Sequence, residues 1–306
     1  MNKCAIALLL SPFFLSLPSL GDAGPVVAAS FLPIAAHVAA VSGNRIDART
    51  LCPAGGDPHD FAPTPTDYKT LSQADLLVVN GFGVEEWLTT AAGNLAGKKT
   101  RILDLSKAPG LLAAMTPGER DAAKEGNPHA WLDPVLAKEQ AKAIRDALKE
   151  LDPAHAADYD ANTAAYLAKL DALDADFRAL FASLPAPRKE LFTLHDAFPW
   201  FASRYGLHYL GSVEDFPEKE PGPQKIAALI TKLKAAHVGT VFAEEGYSPK
   251  LLKRIATESG AAVAELDTLE VAPAAVAASL PRSEDYLLRM RRNLETLREA
   301  WTMARP

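Results

Sequence analysis

Three histidines that are far apart in the chain each lie in a short and distinctive run of residues. His59 lies in Gly-Gly-Asp-Pro-His-Asp-Phe, His129 in Asn-Pro-His-Ala-Trp-Leu-Asp-Pro, and His195 in Thr-Leu-His-Asp-Ala-Phe. Imidazole nitrogen is the commonest protein ligand for zinc-like ions, and three imidazoles with one carboxylate make a four-ligand site. We therefore predict that these histidines hold one metal ion between two lobes of the chain.

Acidic neighbours strengthen this prediction, because a lone histidine is more often a hydrogen-bonded surface residue than a ligand. Asp60, Asp133 and Asp196 lie close in sequence to the three histidines and are predicted to hold their second ring nitrogens or the nearby backbone. The other four histidines occupy positions that predict structural roles: His37, His155, His208 and His237.

The elements around these residues alternate between apolar and amphipathic runs, which predicts an α/β fold. Continuous apolar stretches at Asp75–Asn80, Glu190–His195 and Ala261–Leu266 indicate buried parallel strands. Ligands of open α/β sheets bind beyond the carboxyl ends of the strands. His195 ends one of these strands and Asp267 follows another, so Asp267 is a candidate for the fourth ligand.

The middle of the chain predicts one long amphipathic helix. Apolar residues recur at three- and four-residue intervals from Tyr166 to Leu184, after a helix-start pair at Asp152 and Pro153. A helix of this extent reaches roughly 45 to 50 Å, which favours a strut that braces two lobes. A coiled-coil seam is less consistent with the sequence, because sustained heptads with paired charges are missing.

The fold class is therefore predicted as α/β, with two doubly wound lobes joined by one long rigid helix and the metal site in the interlobe cleft. The predicted boundaries are 1–23 for an export signal, 24–150 for the N-terminal lobe, 151–185 for the linking helix and 186–306 for the C-terminal lobe.

The first residues are typical of an export signal. Lys3 provides a positive start, and a mostly apolar run extends from Ala5 to Leu17. Cys4 precedes this run, so we expect no lipid anchor and a soluble periplasmic protein. Cys52 is then the only cysteine left, which excludes an internal disulfide, and a buried apolar role is favoured over a thiolate ligand.

The charge pattern excludes an obvious nucleic-acid surface. The formal net charge is −6, and the main cluster of basic residues, Arg289, Arg291 and Arg292, is interpreted as a solvated helix face. No feature indicates a permanent oligomer, so a monomer is expected.

Together these runs resemble the substrate-binding proteins of zinc and manganese ABC importers, the cluster A-I or ZnuA/TroA-like family. The resemblance covers essentially the whole chain after the signal. It is carried by the blocks Gly56–Phe61, Pro63–Asp67, Ala74–Leu88, Pro128–Pro134, Leu194–Phe198, Phe242–Glu245 and Leu266–Leu269.

The resemblance implies a binding protein rather than an enzyme, which captures zinc in the periplasm and delivers it to the permease of an ABC importer. His59, His129, His195 and Asp267 match the metal ligands of the family. Glu244 and Glu245 match an acidic position and are predicted to support the site rather than to bind the metal.

One segment departs from the family pattern. Many zinc-binding members carry a histidine-rich loop before the second ligand, whereas Thr116–Asn127 contains no histidine here. We expect this charged segment to be a mobile loop, and either a separate metallochaperone supplies the metal or none is needed.

The predicted ligands favour zinc as the transported ion. Neutral imidazoles with one carboxylate suit zinc, whereas manganese prefers oxygen-rich sites and stands lowest in the affinity order of divalent ions. Within the family a glutamate at the position of His195 is associated with manganese.

A manganese-binding protein of the same family is the first alternative. A zinc hydrolase with a three-histidine site is the second, if Asp267 does not coordinate and Glu244 or Glu245 acts as a base. No feature supports an adhesin, a role known among relatives.

Overall fold

The computed structural model describes residues 24–43, 45–46, 48–90, 100–185, 189–214, 221–272 and 282–302. The predicted export signal, residues 1–23, lies outside these described residues. Within them the chain forms two four-stranded parallel sheets flanked by helices and one long helix, which confirms the predicted α/β fold with two lobes. The described residues include no helix with both the length and the apolarity needed to cross a bilayer.

The two sheets have the same strand order. The first is β2-β1-β3-β4 and the second is β6-β5-β7-β8. The strands are β1 (Val27–Ala29), β2 (Ala48–Thr50), β3 (Leu76–Val79), β4 (Arg101–Asp104), β5 (Glu190–His195), β6 (His208–Glu214), β7 (Thr240–Glu244) and β8 (Ala262–Leu266). In each sheet the chain reverses its winding direction beside the first strand, so a crevice opens at the carboxyl ends of β1 and β3 and of β5 and β7.

Helices cover both sheets and connect them. They are α1 (Leu32–Ser42), α2 (Pro65–Gln73), α3 (Leu111–Ala114), α4 (Pro117–Lys124), α5 (Pro134–Leu151), α6 (Ala156–Ser183), α7 (Pro199–Tyr205), α8 (Pro223–Ala235), α9 (Lys250–Ser259) and α10 (Arg282–Thr302). Short 3-10 turns precede α5 and α6 at Ala130–Leu132 and Pro153–His155.

The predicted strut is α6, which has 28 residues. It packs against α5, α1 and α10 and also touches α7 of the second lobe. One contiguous apolar cluster includes Val78 of β3, Leu170 of α6 and Phe242 of β7, so the core continues from one lobe into the other. The lobe boundaries proposed from the sequence stay predictions.

The structure corrects the prediction of a mobile loop before His129. Residues 117–124 form α4, because the Thr116 side chain accepts a hydrogen bond from the Glu119 backbone N–H and the Glu119 side chain accepts one from the Thr116 backbone N–H. This reciprocal pair is a capping box, and its Thr-Pro-Gly-Glu pattern is visible in the sequence. A similar reciprocal pair, between Thr64 and Asp67, caps α2.

Candidate metal centre

Four side chains from both lobes converge in the crevice. His59, His129, His195 and Glu270 each offer one nitrogen or oxygen atom, and these atoms all lie within 4.8 Å of one another. The Nε2 atoms of His59 and His129 lie 2.8 and 3.0 Å from Oε1 of Glu270. Nε2 of His195 lies 3.2 Å from Nε2 of His129 and 3.5 Å from Oε2 of Glu270. The three predicted histidines therefore meet at one point.

Each ligand candidate is placed by the end of a regular element. His195 is the last residue of β5, and Glu270 follows β8 after a short turn. His129 begins the 3-10 turn that leads into α5. His59 lies in the loop after β2, where its backbone N–H donates to Oδ1 of Asp57 at 2.8 Å. The site therefore lies beyond the strand ends, as expected for an open parallel sheet.

Hydrogen bonds at Nδ1 fix the tautomers of two histidines. Nδ1 of His129 lies 2.9 Å from Oδ1 of Asn127, and an amide oxygen only accepts hydrogen bonds. Nδ1 of His195 donates in the same way to the carboxylate of Glu244. In the neutral rings the proton sits on Nδ1, so the Nε2 lone pairs of both histidines face the centre.

Burial and charge set the protonation of the cluster. Burial lowers the pKa of His129 to about 4, which keeps its ring neutral near pH 7. Burial also acts to lower the pKa of His195, but the carboxylates of Glu244 and Glu270 outweigh it and raise that pKa to about 9. The pKa of Glu270 would rise on burial, yet the neighbouring histidines, led by His129, hold it well below its usual range. Glu270 is therefore an anion among imidazoles.

The structure places Asp267 outside this cluster, which corrects its predicted role as the fourth ligand. Both carboxylate oxygens of Asp267 accept hydrogen bonds from Arg289, each at 2.6 Å. Its Oδ1 also accepts the backbone N–H of Leu269 at 2.7 Å. Both oxygens of Asp267 are thus engaged by Arg289, and the carboxylate that lies beside the three histidines is that of Glu270.

Sequence reasoning missed Glu270 because it lies four residues beyond Leu266, where the apolar strand ends. Leu269 adopts a left-handed conformation, with φ of 66°, and this turn redirects the chain after Asp267. Glu270 is fully buried and its Oε2 accepts no hydrogen bond. A buried carboxylate with an unsatisfied oxygen beside three imidazoles fits a cation. The sequence did contain a signal for Glu270, because the run Leu-Asp-Thr-Leu-Glu at residues 266–270 has a second acidic residue after Asp267.

The predicted supporting contacts are only partly correct. Glu244 contacts His195, as predicted for a supporting residue. Asp133 accepts the nearby backbone N–H of Val135 at 2.8 Å and the Arg204 guanidinium at 2.7 Å rather than a histidine ring, and Asp196 accepts from Asn127 at 3.1 Å. The missed support for His129 is therefore Asn127, which also accepts from Nε1 of Trp200 at 2.9 Å.

Two further features near the centre are the thiol of Cys52 and an open cleft. Cys52 is buried, as expected, and burial raises its pKa to about 12, so its thiol stays protonated. A cleft of about 410 Å³ lies beside His59 and is lined by the carboxylates of Asp57, Asp60 and Glu86. His59 is the most exposed ligand candidate, with 11% of its side chain accessible. The cleft therefore gives solvent access to the site.

The chain is similar to proteins that are named for zinc binding and zinc uptake. The chain is 32% identical over 288 residues to zinc-binding protein AdcA of Streptococcus pyogenes serotype M3, covering 89% of this chain but only 55% of AdcA. It thus spans about half the length of that relative. It is 30% identical over 297 residues to high-affinity zinc uptake system protein ZnuA of Bacillus subtilis, covering 93% and 90% of the two chains.

Solved structures with the same architecture include two from streptococci. A mutant of the laminin-binding adhesin Lmb of Streptococcus agalactiae superposes with a TM-score of 0.79 at 33% identity, covering 91% of this chain and 100% of Lmb. The Zn(II)-bound ZnuA-like domain of Streptococcus pneumoniae AdcA gives a TM-score of 0.76 at 25% identity, covering 92% and 100%.

One relative corrects the expectation of an unanchored protein. The manganese ABC transporter substrate-binding lipoprotein PsaA of Streptococcus anginosus is 29% identical over 264 residues, covering 85% of this chain and 83% of PsaA. Because relatives include lipoproteins, the predicted absence of a lipid anchor is not carried forward. The names of these relatives describe binding and transport proteins rather than enzymes.

The family model described as zinc-uptake complex component A, periplasmic, matches residues 27–300, and the chain belongs to that family.

Proposed function

We propose that this protein captures a zinc ion outside the cytoplasm and delivers it to the permease of an ABC importer. The observation that carries the proposal is the convergence of three imidazoles and the buried carboxylate of Glu270 within 4.8 Å. Two of the imidazoles are already held with Nε2 facing the centre. Such a preorganised set loses little freedom when an ion binds, which supports high affinity.

The proposed ligand set is His59, His129, His195 and Glu270. Three nitrogens and one oxygen make the tetrahedral arrangement that zinc adopts when no position is left for water. Membership of a zinc-uptake family and the names of AdcA and ZnuA support zinc. Manganese remains the alternative because PsaA is named as a manganese protein, but His195 supplies nitrogen where an oxygen donor would suit manganese better.

A zinc hydrolase is the weaker alternative. Catalytic zinc keeps three protein ligands and leaves one coordination position for water. In the proposed ligand set Glu270 takes the fourth position, and the hydrogen bond of Glu244 to His195 argues against a role for Glu244 as a base beside a bound water. A monomeric state, periplasmic location and loading by a metallochaperone remain parts of the proposal.

Metal competition tests the proposed function. The purified protein is stripped with a chelator, dialysed against equal concentrations of zinc and manganese, and assayed for both metals. We expect one zinc and almost no manganese per chain, with loss of stoichiometric zinc in His195→Ala and Glu270→Ala. Glu265→Ala, which removes an exposed carboxylate from β8, is the matched control and should keep zinc. Equal loading with manganese, or no zinc in the unaltered protein, would overturn the proposal.

A further inference from the structure

The loop that carries Glu270 is held in a conformation that its own residues do not favour. Leu269 has a positive φ of 66°, a region that a leucine side chain rarely adopts. Such a conformation persists only where surrounding contacts determine it, and these conformations concentrate at binding sites. The contacts that hold this loop therefore bear on the direction of Glu270.

Arg289 of α10 provides most of those contacts. Its Nε and Nη2 donate to the two carboxylate oxygens of Asp267, each at 2.6 Å. Its Nη1 donates to the carbonyl of Leu269 at 3.0 Å, and its Nη2 donates to that of Val271 at 2.8 Å. These two carbonyls belong to the residues on either side of Glu270. One buried guanidinium thus fixes the backbone before and after the proposed ligand.

The remaining contacts of the loop complete this support. Asn293, one turn further along α10, accepts the backbone N–H of Asp267 at 2.8 Å and donates to its carbonyl at 2.7 Å. From the other lobe, Nε1 of Trp131 donates to the carbonyl of Thr268 at 2.9 Å. Trp131 lies two residues after His129, and their rings are 5.0 Å apart. The loop is therefore held between α10 and the segment that carries another proposed ligand.

We propose that Arg289 is a positioning residue that sets the direction of Glu270 and thereby determines zinc affinity and coordination geometry. This inference rests on the proposed function. It also gives Asp267 a role: its carboxylate orients the guanidinium and accepts the N–H of Leu269, without touching the ion. Arginine is required because its planar fork donates in several fixed directions, whereas a lysine ammonium presents only three donors on a flexible stem.

The test substitutes Arg289→Lys, which keeps the charge opposite Asp267 but removes the fork. Zinc affinity is measured by chelator competition, and coordination geometry by the visible absorption of the Co²⁺-loaded protein. Arg291→Lys is the matched control, because Arg291 lies on the same helix in an exposed pair with Asp176 at 3.1 Å. We expect Arg289→Lys to weaken zinc binding about 10- to 100-fold and to change the Co²⁺ spectrum. Arg291→Lys should change neither.

A double-mutant cycle separates positioning from a general structural effect. In a Glu270→Gln background, Arg289→Lys should weaken zinc binding less than about 2-fold, because the ligand it positions is already impaired. Equal weakening in both backgrounds, or an unchanged affinity and spectrum in folded Arg289→Lys, would overturn the inference. If Arg289→Lys does not fold, Asp267→Asn replaces it in the test. Asp267→Asn must then weaken zinc binding about 10- to 100-fold in the unaltered background and less than about 2-fold in the Glu270→Gln background. Failure of the unaltered protein to bind zinc would instead overturn the proposed function.

Discussion

The carboxylate of Glu244 binds His195 at two points. It accepts the backbone N–H of His195 at 3.2 Å and also accepts the hydrogen on Nδ1 of the ring. Glu244 ends β7 and His195 ends β5, so two adjacent strand ends fix one imidazole. This contact directs Nε2 towards the centre and increases its basicity.

Glu244→Gln tests this relationship. Glutamine keeps the size and can still accept a hydrogen bond, but it removes the negative charge that strengthens His195 as a ligand. We expect zinc affinity to fall about 10-fold, measured by chelator competition at pH 7.5. Glu265→Gln, an exposed change on β8, is the control and should have no effect. Unchanged affinity in Glu244→Gln would show that the contact does not support the metal.

Zinc binding should release protons. In the metal-free protein Glu244 and Glu270 raise the pKa of His195 to about 9, against the effect of burial, so its ring carries a proton at neutral pH. Zinc must displace that proton, and affinity therefore rises with pH up to about 9. His129, with a pKa of about 4, is already neutral and adds no dependence above pH 5.

Calorimetric titration in buffers of different ionisation enthalpy measures this release. We expect about one proton from His195 per zinc at pH 7, with a further fraction from His59, whose pKa is raised by Glu270 despite burial. Binding with no proton release between pH 6 and 8 would contradict this account.

A buried acidic pair near α4 should make stability pH-dependent. Burial and the Asp133 carboxylate raise the pKa of Glu119 to about 8. The unfolded side chain ionises near pH 4.5, whereas the folded one keeps its proton to about pH 8. Stability is therefore lost as pH rises between these values, by at most about 1.4 kcal/mol per pH unit.

Glu119→Gln replaces the protonated carboxyl with a neutral amide. Its oxygen can still accept from Arg204, which donates to Glu119 at 3.0 Å. We expect the variant to equal the unaltered protein near pH 5 and to exceed its melting temperature increasingly towards pH 8. Glu125→Gln, an exposed change just after α4, should follow the unaltered protein. A variant that is less stable at every pH would contradict the interpretation that Glu119 is protonated in the folded protein.

A hydrogen bond between the lobes should slow zinc release. The hydroxyl of Tyr247 donates to Oδ2 of Asp57 at 3.1 Å, and Oδ1 of Asp57 holds the backbone of His59. The ring of Tyr247 also lies 5.3 Å from that of His195. Loss of this bond frees the His59 loop at the edge of the cleft.

Tyr247→Phe should therefore speed zinc dissociation about 2- to 10-fold, the amount expected for one hydrogen bond. Stopped-flow transfer of zinc to an excess of chelator measures the rate. Tyr159→Phe removes another tyrosine–aspartate bond, to Asp152 at 2.7 Å, away from the centre and is the matched control. Equal rates in Tyr247→Phe and the unaltered protein would contradict the proposed restraint.

The sequence identified the three histidines because each lies in a distinctive run and His195 ends an apolar strand. It misplaced the carboxylate, because periodicity does not reveal the left-handed turn at Leu269 that brings Glu270 inward. It also misread Arg289 as solvent-exposed, although the residue is fully buried. The spacing of Asp285, Arg289 and Asn293 places them on one helix face, and that signal could have indicated a buried polar network.

The most direct test of the proposed function is a crystal structure of the zinc-loaded protein with anomalous data at the zinc edge. We predict one peak, about 2.0 to 2.1 Å from Nε2 of His59, His129 and His195 and about 2.0 to 2.2 Å from an oxygen of Glu270. Asp267 should remain paired with Arg289. Zinc bound through Asp267, zinc without Glu270, or no ordered zinc in the crevice would contradict the account.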